Sequence, residues 1–145
     1  MKLNENNPIT TLISSIVAPF IMLFALYVIF HGHSSPGGGF QGGTLLAASI
    51  ILLRLSLGSE MGQLQFPSRL GTPLGSLGVL IYFGTGLASL FFGGRFLDYS
   101  LLPIARSAAN RRSWGILLVE IGVGLAVTAI LVSIYDDLLG EDPDD

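Results

Sequence analysis

Four long apolar stretches form the framework of this sequence, and each is long enough, or nearly so, to cross a lipid bilayer. They cover residues 11–30, 40–57, 70–92 and 114–135. About 20 apolar residues of helix cross the hydrocarbon core of a membrane. Because lipid cannot satisfy backbone polar groups, helices are favoured over open sheets. We therefore predict one all-α integral membrane domain over residues 1–145, with four transmembrane helices and an acidic tail at residues 136–145.

The composition agrees with this class of protein and narrows the chemistry. Half of the residues are hydrophobic and 12% are charged, compared with about a quarter charged residues in an ordinary soluble domain. The chain has no cysteine, which excludes disulfides and thiolate metal ligands. Its net charge of −3 argues against a nucleic-acid partner, whose site needs clustered Lys and Arg. No enzyme signature is present, and we predict no catalytic residue, no metal site and no cofactor.

A Gly- and Pro-rich hairpin joins the first two apolar stretches at residues 31–43. Glycines let a neighbouring backbone come close, and a proline ends the preceding helix. We expect the glycines to enter the membrane as the first turn of the second helix, so that the hairpin is tightly packed. The predicted packing residues are Pro36, Gly37, Gly38, Gly39, Gly42 and Gly43.

Small residues also recur at four-residue spacing, as in Gly39 with Gly43 and Gly122 with Ala126. This spacing places both members of a pair on one helix face, where another helix can approach closely. Four helices have little interior of their own, so we expect some of the partner helices to belong to other chains.

Two histidines, His31 and His33, stand at the end of the first apolar stretch. One interpretation is a proton-handling role at the membrane surface, since imidazole titrates near neutrality. The other is a pair that caps the helix end through hydrogen bonds to the backbone.

Glu120 lies about two turns inside the last apolar stretch. An ionisable group is costly at this depth and normally faces the bundle interior or a wet cavity, where it has a partner. One interpretation is a proton or cation relay, and the other is a structural ion pair with Arg111 or Arg112. For Arg54, near the end of the second stretch, we expect the long side chain to reach the membrane interface.

The hairpin, written His31-Gly-His-Ser-Ser-Pro-Gly-Gly-Gly-Phe-Gln-Gly-Gly43, resembles the corresponding motif of the MnhB/MrpB family. Members of this family are small membrane subunits of Mrp-type multisubunit sodium/proton antiporters. The four-span layout and the segment Val119-Glu-Ile-Gly-Val-Gly-Leu125 resemble the family as well. Homologous subunits occur in Mrp-like modules of membrane-bound respiratory complexes, including a ferredoxin-linked hydrogenase and its sulfur-reducing relative.

The resemblance implies a non-catalytic membrane subunit that helps to form the sodium-translocating part of a multisubunit complex. We expect Glu120, His31, His33 and Phe40 to take part in the ion path or its coupling. The expected partners are other Mrp-type membrane subunits and the lipid bilayer, with sodium ions and protons as transported species, and the expected location is the cell membrane. The alternatives are a purely structural spacer and a stand-alone small transporter. The sequence leaves open the orientation in the membrane and whether the host is a free-standing antiporter or a respiratory complex.

Overall fold

The computed structural model describes residues 7–34 and 36–140 and shows an all-helical chain. Four helices are long and apolar enough to cross a membrane, which confirms the predicted fold class. No strand is found among the described residues. The helices are α1 (Pro8–Phe30), α2 (Gly38–Leu57), a short α3 (Ser59–Gln65), α4 (Gly71–Phe91) and α5 (Ala108–Leu139), with single 3-10 turns at Ser68–Leu70 and Tyr99–Leu101.

Local sequence signals determine where α1 and α5 begin and end. Asn7 accepts a hydrogen bond from a first-turn N–H of α1 at 3.1 Å, and Pro8 follows at the first helical position, where no amide hydrogen is needed. Ser107 caps the start of α5 through a similar bond at 3.2 Å. Gly140 ends α5 with φ of 71°, the left-handed conformation that glycine adopts easily.

The four long helices alternate in direction, and α5 packs against both α2 and α4. The hydroxyl of Thr11, near the start of α1, donates to the carbonyl of Ser56, near the end of α2, at 3.0 Å. Gly71, at the start of α4, lies against Ser133, near the end of α5. The pairs α1–α2 and α4–α5 are therefore antiparallel, whereas α2 and α5 run parallel to each other.

This topology brings two connectors to the same end of the bundle. Residues 31–37 join α1 to α2, and residues 92–107 join α4 to α5. We call this end the hairpin end. The opposite end carries α3 together with Asn7 and Gly140, and we call it the α3 end. As the sequence predicts, the glycines at the hairpin end form the first turn of α2, which begins at Gly38.

The charged residues at the α3 end are not where the sequence predicted them. Asp136, expected at the start of an acidic tail, lies within α5 and is 2% exposed. Arg54, expected at the membrane interface, is also 2% exposed and forms an ion pair with Asp136. Both expectations were wrong, because paired charges can be buried where single charges cannot. Residues 141–145 of the predicted tail lie outside the described residues.

Most of the apolar surface faces outward. Only 22–39% of each span is buried within the chain, and large side chains such as Phe20 and Leu80 are about two-thirds exposed, at 67% and 65%. Such a surface is suited to lipid or to the helices of neighbouring membrane proteins.

Candidate functional site

The carboxylate of Glu120 is the centre of the candidate site. It lies about 18 Å from the first residue of α5, at 1.5 Å per residue, inside the apolar part of that helix. Its Oε2 accepts a hydrogen bond from the backbone N–H of Gly39 in the first turn of α2. The two residues are 81 positions apart, so the hairpin and the last span form one site.

This hydrogen bond supplies a capping group that α2 lacks in its own sequence. Exposed Pro36 and then Gly37 precede the helix, and Gly37 has no side chain to accept from its first turn. The first four N–H groups of a helix have no partner within the helix, and the aligned peptide dipoles give this end a partial positive charge. A carboxylate suits both features. Glu120 therefore caps the start of α2 from a different helix.

Three glycines leave the space that Glu120 occupies, two of them beside its side chain and one beside its backbone. A Cβ on Gly32 would lie 2.8 Å from Cδ of Glu120, and a Cβ on Gly38 would lie 2.5 Å from the same atom. A Cβ on Gly39 would lie 2.9 Å from the backbone carbonyl carbon of Glu120. Gly38 also has φ of 60°, which residues with a Cβ rarely adopt. The glycine-rich sequence of the hairpin thus makes room for a carboxylate of α5.

The next two hairpin glycines pack α2 against both of its neighbours. A Cβ on Gly42 would lie 2.8 Å from the carbonyl oxygen of Ala25 in α1, and a Cβ on Gly43 would lie 2.7 Å from the carbonyl oxygen of Gly124 in α5. The small-residue faces predicted from the sequence are therefore in contact with helices of this chain. The expectation that other faces of the spans meet helices of other chains stays a prediction.

The other three residues predicted on the ion path lie at the surface. The Nδ1 atom of His31 is 3.0 Å from the carbonyl oxygen of Tyr27, and the two rings stack with centroids 4.1 Å apart. This geometry agrees with the interpretation that His31 caps the end of α1 through a hydrogen bond to the backbone. His33 is exposed, and Phe40 is 67% exposed on the outer side of α2. Of the four predicted residues, Glu120 alone is partly buried between helices.

The ion pair considered between Glu120 and an arginine is not found in the described part of the chain. Arg111 donates from Nε to the carbonyl of Ala105 at 2.7 Å and from Nη1 to the carbonyl of Ser100 at 3.3 Å. Arg112 is exposed. Arg111 therefore holds the connector between α4 and α5, and the partner seen for Glu120 is a backbone N–H.

The connector between α4 and α5 adds a tyrosine that the sequence analysis missed. The ring of Tyr99 covers Gly115, where a Cβ would lie 2.6 Å from Cδ1 of the tyrosine. Burial raises the pKa of the Tyr99 phenol, and the charges of Tyr82 and Glu120 act in the same direction. The phenol therefore keeps its proton at neutral pH. Gly115, one turn and a half before Glu120, was the sequence signal for a close contact here.

The site thus places one ionisable group where the end of α1, the start of α2 and the middle of α5 meet. An ionised carboxylate can accept backbone N–H groups or bind a cation, and it can also take up a proton. The side chain is partly exposed, so it can also meet an ion or a group of a neighbouring protein.

Comparisons with known proteins agree with this architecture. Residues 9–133, which include the hairpin and Glu120, match the family described as a domain related to the MnhB subunit of Na+/H+ antiporter. The chain is 31% identical over 144 residues to a protein of Alkalihalophilus pseudofirmus named as a Na(+)/H(+) antiporter subunit, with 94% of this chain and 98% of that protein covered. It is 29% identical over 141 residues to the protein of Staphylococcus aureus (strain Newman) that carries the name antiporter subunit mnhB2, with 95% and 98% covered. A family match of this extent, together with four helices able to cross a membrane, shows that the chain belongs to the MnhB family.

Proposed function

We propose that this chain is a multi-pass subunit of an Mrp-type sodium/proton antiporter module in the cell membrane. It carries no catalysis of its own and helps to form the sodium-translocating part of the complex together with other membrane subunits. Two features support the proposal. The relatives that cover nearly the whole chain are named as antiporter subunits, and an ionisable side chain lies within a span.

The observation that carries the proposal is the Glu120 carboxylate at the start of α2. Keeping an ionisable group within an apolar span is costly, and such groups mark ion and proton paths more often than they mark ordinary packing. The N–H of Gly39 donates a hydrogen bond to this carboxylate. A sodium ion or a proton that reaches Glu120 competes for the same charge, so occupancy of the site and the position of the α2 end are coupled.

A purely structural spacer is the second candidate, and the same contact favours it. Glu120 already has a structural partner in the N–H of Gly39. A carboxylate that only caps a helix would need no ion to account for its place. The two candidates differ in whether the charge of Glu120 or only its oxygen atom is required.

A stand-alone transporter fits the architecture less well. Small transporters are commonly built from repeated halves with matching broken helices at the binding site. Here the first pair of long helices is joined by the short connector 31–37, and the last pair by the much longer connector 92–107. The outward-facing apolar surface of every span leaves room for neighbouring subunits.

Purification from the native membrane tests the proposed function. A tagged chain should co-purify with other membrane subunits, and vesicles containing that assembly should exchange sodium for protons. The isolated chain in vesicles should catalyse no exchange. Exchange by the isolated chain would overturn the proposal in favour of a stand-alone transporter. Electron-transfer subunits in the assembly would identify the host as a respiratory complex, and their absence would identify a free-standing antiporter.

A further inference from the structure

A second charged contact joins α2 to α5 at the α3 end of the bundle. The side chains of Arg54 and Asp136 are 0% and 3% exposed and form an ion pair. Arg54 also donates from Nη2 to the carbonyl of Phe66. Gly62 of α3 lies directly against the stem of Arg54, since a Cβ there would be 3.1 Å from Cα of the arginine.

The pair is buried deeply enough for each charge to affect the other strongly. Removing a charge from water is unfavourable, and attraction at close range offsets the cost only while both partners are present. In the described part of the chain, Arg54 is the partner found for the Asp136 carboxylate. Loss of Arg54 would remove the partner seen for the buried Asp136 carboxylate, and loss of Asp136 would remove a buried opposite charge from Arg54.

A charged side chain connects α2 and α5 at each end of their contact. Gly39 with Glu120 lies toward the hairpin end, and Arg54 with Asp136 lies toward the α3 end. Since α2 and α5 run parallel, the sequence offset is nearly constant along the contact, at 81 positions for the first pair and 82 for the second.

Near the hairpin end this interface is lined by small residues, whereas Ala47, Ile50 and Val132 pack together toward the α3 end. Gly43 lies against Gly124 and the neighbouring Val127, and glycine faces allow close approach without interlocking side chains. A further polar contact runs from the hydroxyl of Thr128 to the carbonyl of Gly43 at 3.0 Å. The small-residue packing near Gly43 therefore specifies the register of α2 on α5 only weakly, and buried polar groups are known to specify register between helices.

We propose that Arg54 and Asp136 are positioning residues that lock the register of α2 on α5 and so hold the N–H of Gly39 at the Glu120 carboxylate. The lock itself follows from the geometry of the bundle, whereas its consequence for transport rests on the proposed function. Neither residue needs to meet an ion, because both lie at the opposite end of α2 from Glu120.

The yield of a disulfide cross-link between α2 and α5 reports directly on the register of these two helices. Ile50 and Val132 each lie one turn before a member of the ion pair, and both belong to the same buried cluster. The chain has no native cysteine, so Ile50→Cys with Val132→Cys introduces its only thiols. Cross-linking is measured in membranes that express the whole complex, which gives a reading even for variants that do not assemble. Sodium/proton exchange is measured on the purified complex.

The informative variants are the two single changes, Arg54→Met and Asp136→Leu, and their combination. Each single change should abolish most assembly. The combination removes both charges, so assembly should return while the cross-link yield and the exchange rate both fall several-fold. Asp137→Asn, at the exposed neighbouring position, is the matched control and should leave all three readings unchanged.

Normal cross-linking in the combined variant would overturn the register lock. Normal assembly and cross-linking in both single variants would overturn it as well. A reduced cross-link yield with normal exchange would support the lock and would instead contradict the proposed role of Glu120 in transport.

Discussion

At the scale of single residues, the contact between Glu120 and Gly39 leaves no space on the glycine side. A Cβ on Gly39 would lie 2.9 Å from the carbonyl carbon of Glu120 and 3.0 Å from its Cα. These are backbone atoms of α5, which cannot move away by a rotamer change as a side chain can. Overpacking of this kind costs about 1–3 kcal/mol, whereas replacing glycine by alanine in a helix contributes about 1 kcal/mol in the opposite direction. The steric cost is therefore expected to exceed the gain from replacing glycine by alanine in the helix.

We expect Gly39→Ala to lower the stability of the purified complex by up to about 2 kcal/mol, measured by thermal unfolding in detergent. Gly84 is a suitable control because it lies in α4 and a Cβ there would meet nothing within 4 Å. Gly84→Ala should leave the stability unchanged or raise it slightly. If the two variants unfold at the same temperature, Gly39 is not tightly packed against α5.

The sequence identified Glu120 as a residue that needs a partner but did not identify that partner. The sequence favoured an arginine as this partner. In the structure the partner is the backbone N–H of Gly39, 81 positions earlier. Backbone donors have no signature in the amino-acid sequence except the missing cap at Gly37. Arg54 was misplaced for a related reason, because its compensating charge is remote in sequence.

At the scale of secondary-structure elements, α2 depends on α5 for its first turn. Four helix-starting N–H groups need acceptors, and the hairpin offers glycines in place of a capping side chain. An N-terminal cap contributes about 0.5–2 kcal/mol in proteins. This range converts to about a twofold to thirtyfold change in how often the first turn opens.

Amide hydrogen exchange should detect this dependence. We expect Glu120→Leu to speed exchange in the first turn of α2 by about twofold to thirtyfold, because leucine cannot accept a hydrogen bond. Glu120→Gln keeps an amide oxygen and should retain most of the protection. Equal exchange in the leucine variant and the unmodified chain would show that the carboxylate does not cap α2.

The presence of the four long helices could be predicted because hydrophobic length is a local property of sequence. The glycine-led start of α2 was predictable as well, since a span from residue 40 alone would be short. The neighbours of each helix were not predictable, because apolar residues surround the spans and leave no clear inner face. The place of α5 between α2 and α4 is visible only in the structure.

At the scale of the whole molecule, the chain resembles a layer of helices more than a closed transporter. α1 covers one side of α2, α4 covers one side of α5, and much of the surface of all four spans is apolar and exposed. Much of each span is therefore available to lipid or to the helices of neighbouring subunits. Glu120 therefore acts at a surface that neighbouring subunits complete, according to the function proposed above.

The central proposal is that transport requires the charge of Glu120. Sodium/proton exchange by the assembled Glu120→Gln complex tests this requirement most directly. The amide preserves the volume and a hydrogen-bond acceptor for Gly39 but cannot release a proton or carry a negative charge. We predict a normal yield of complex together with exchange reduced about tenfold or more, since each factor of ten corresponds to only about 1.4 kcal/mol in the barrier. A normal yield with exchange at the unmodified rate would contradict the account and leave Glu120 as a structural cap.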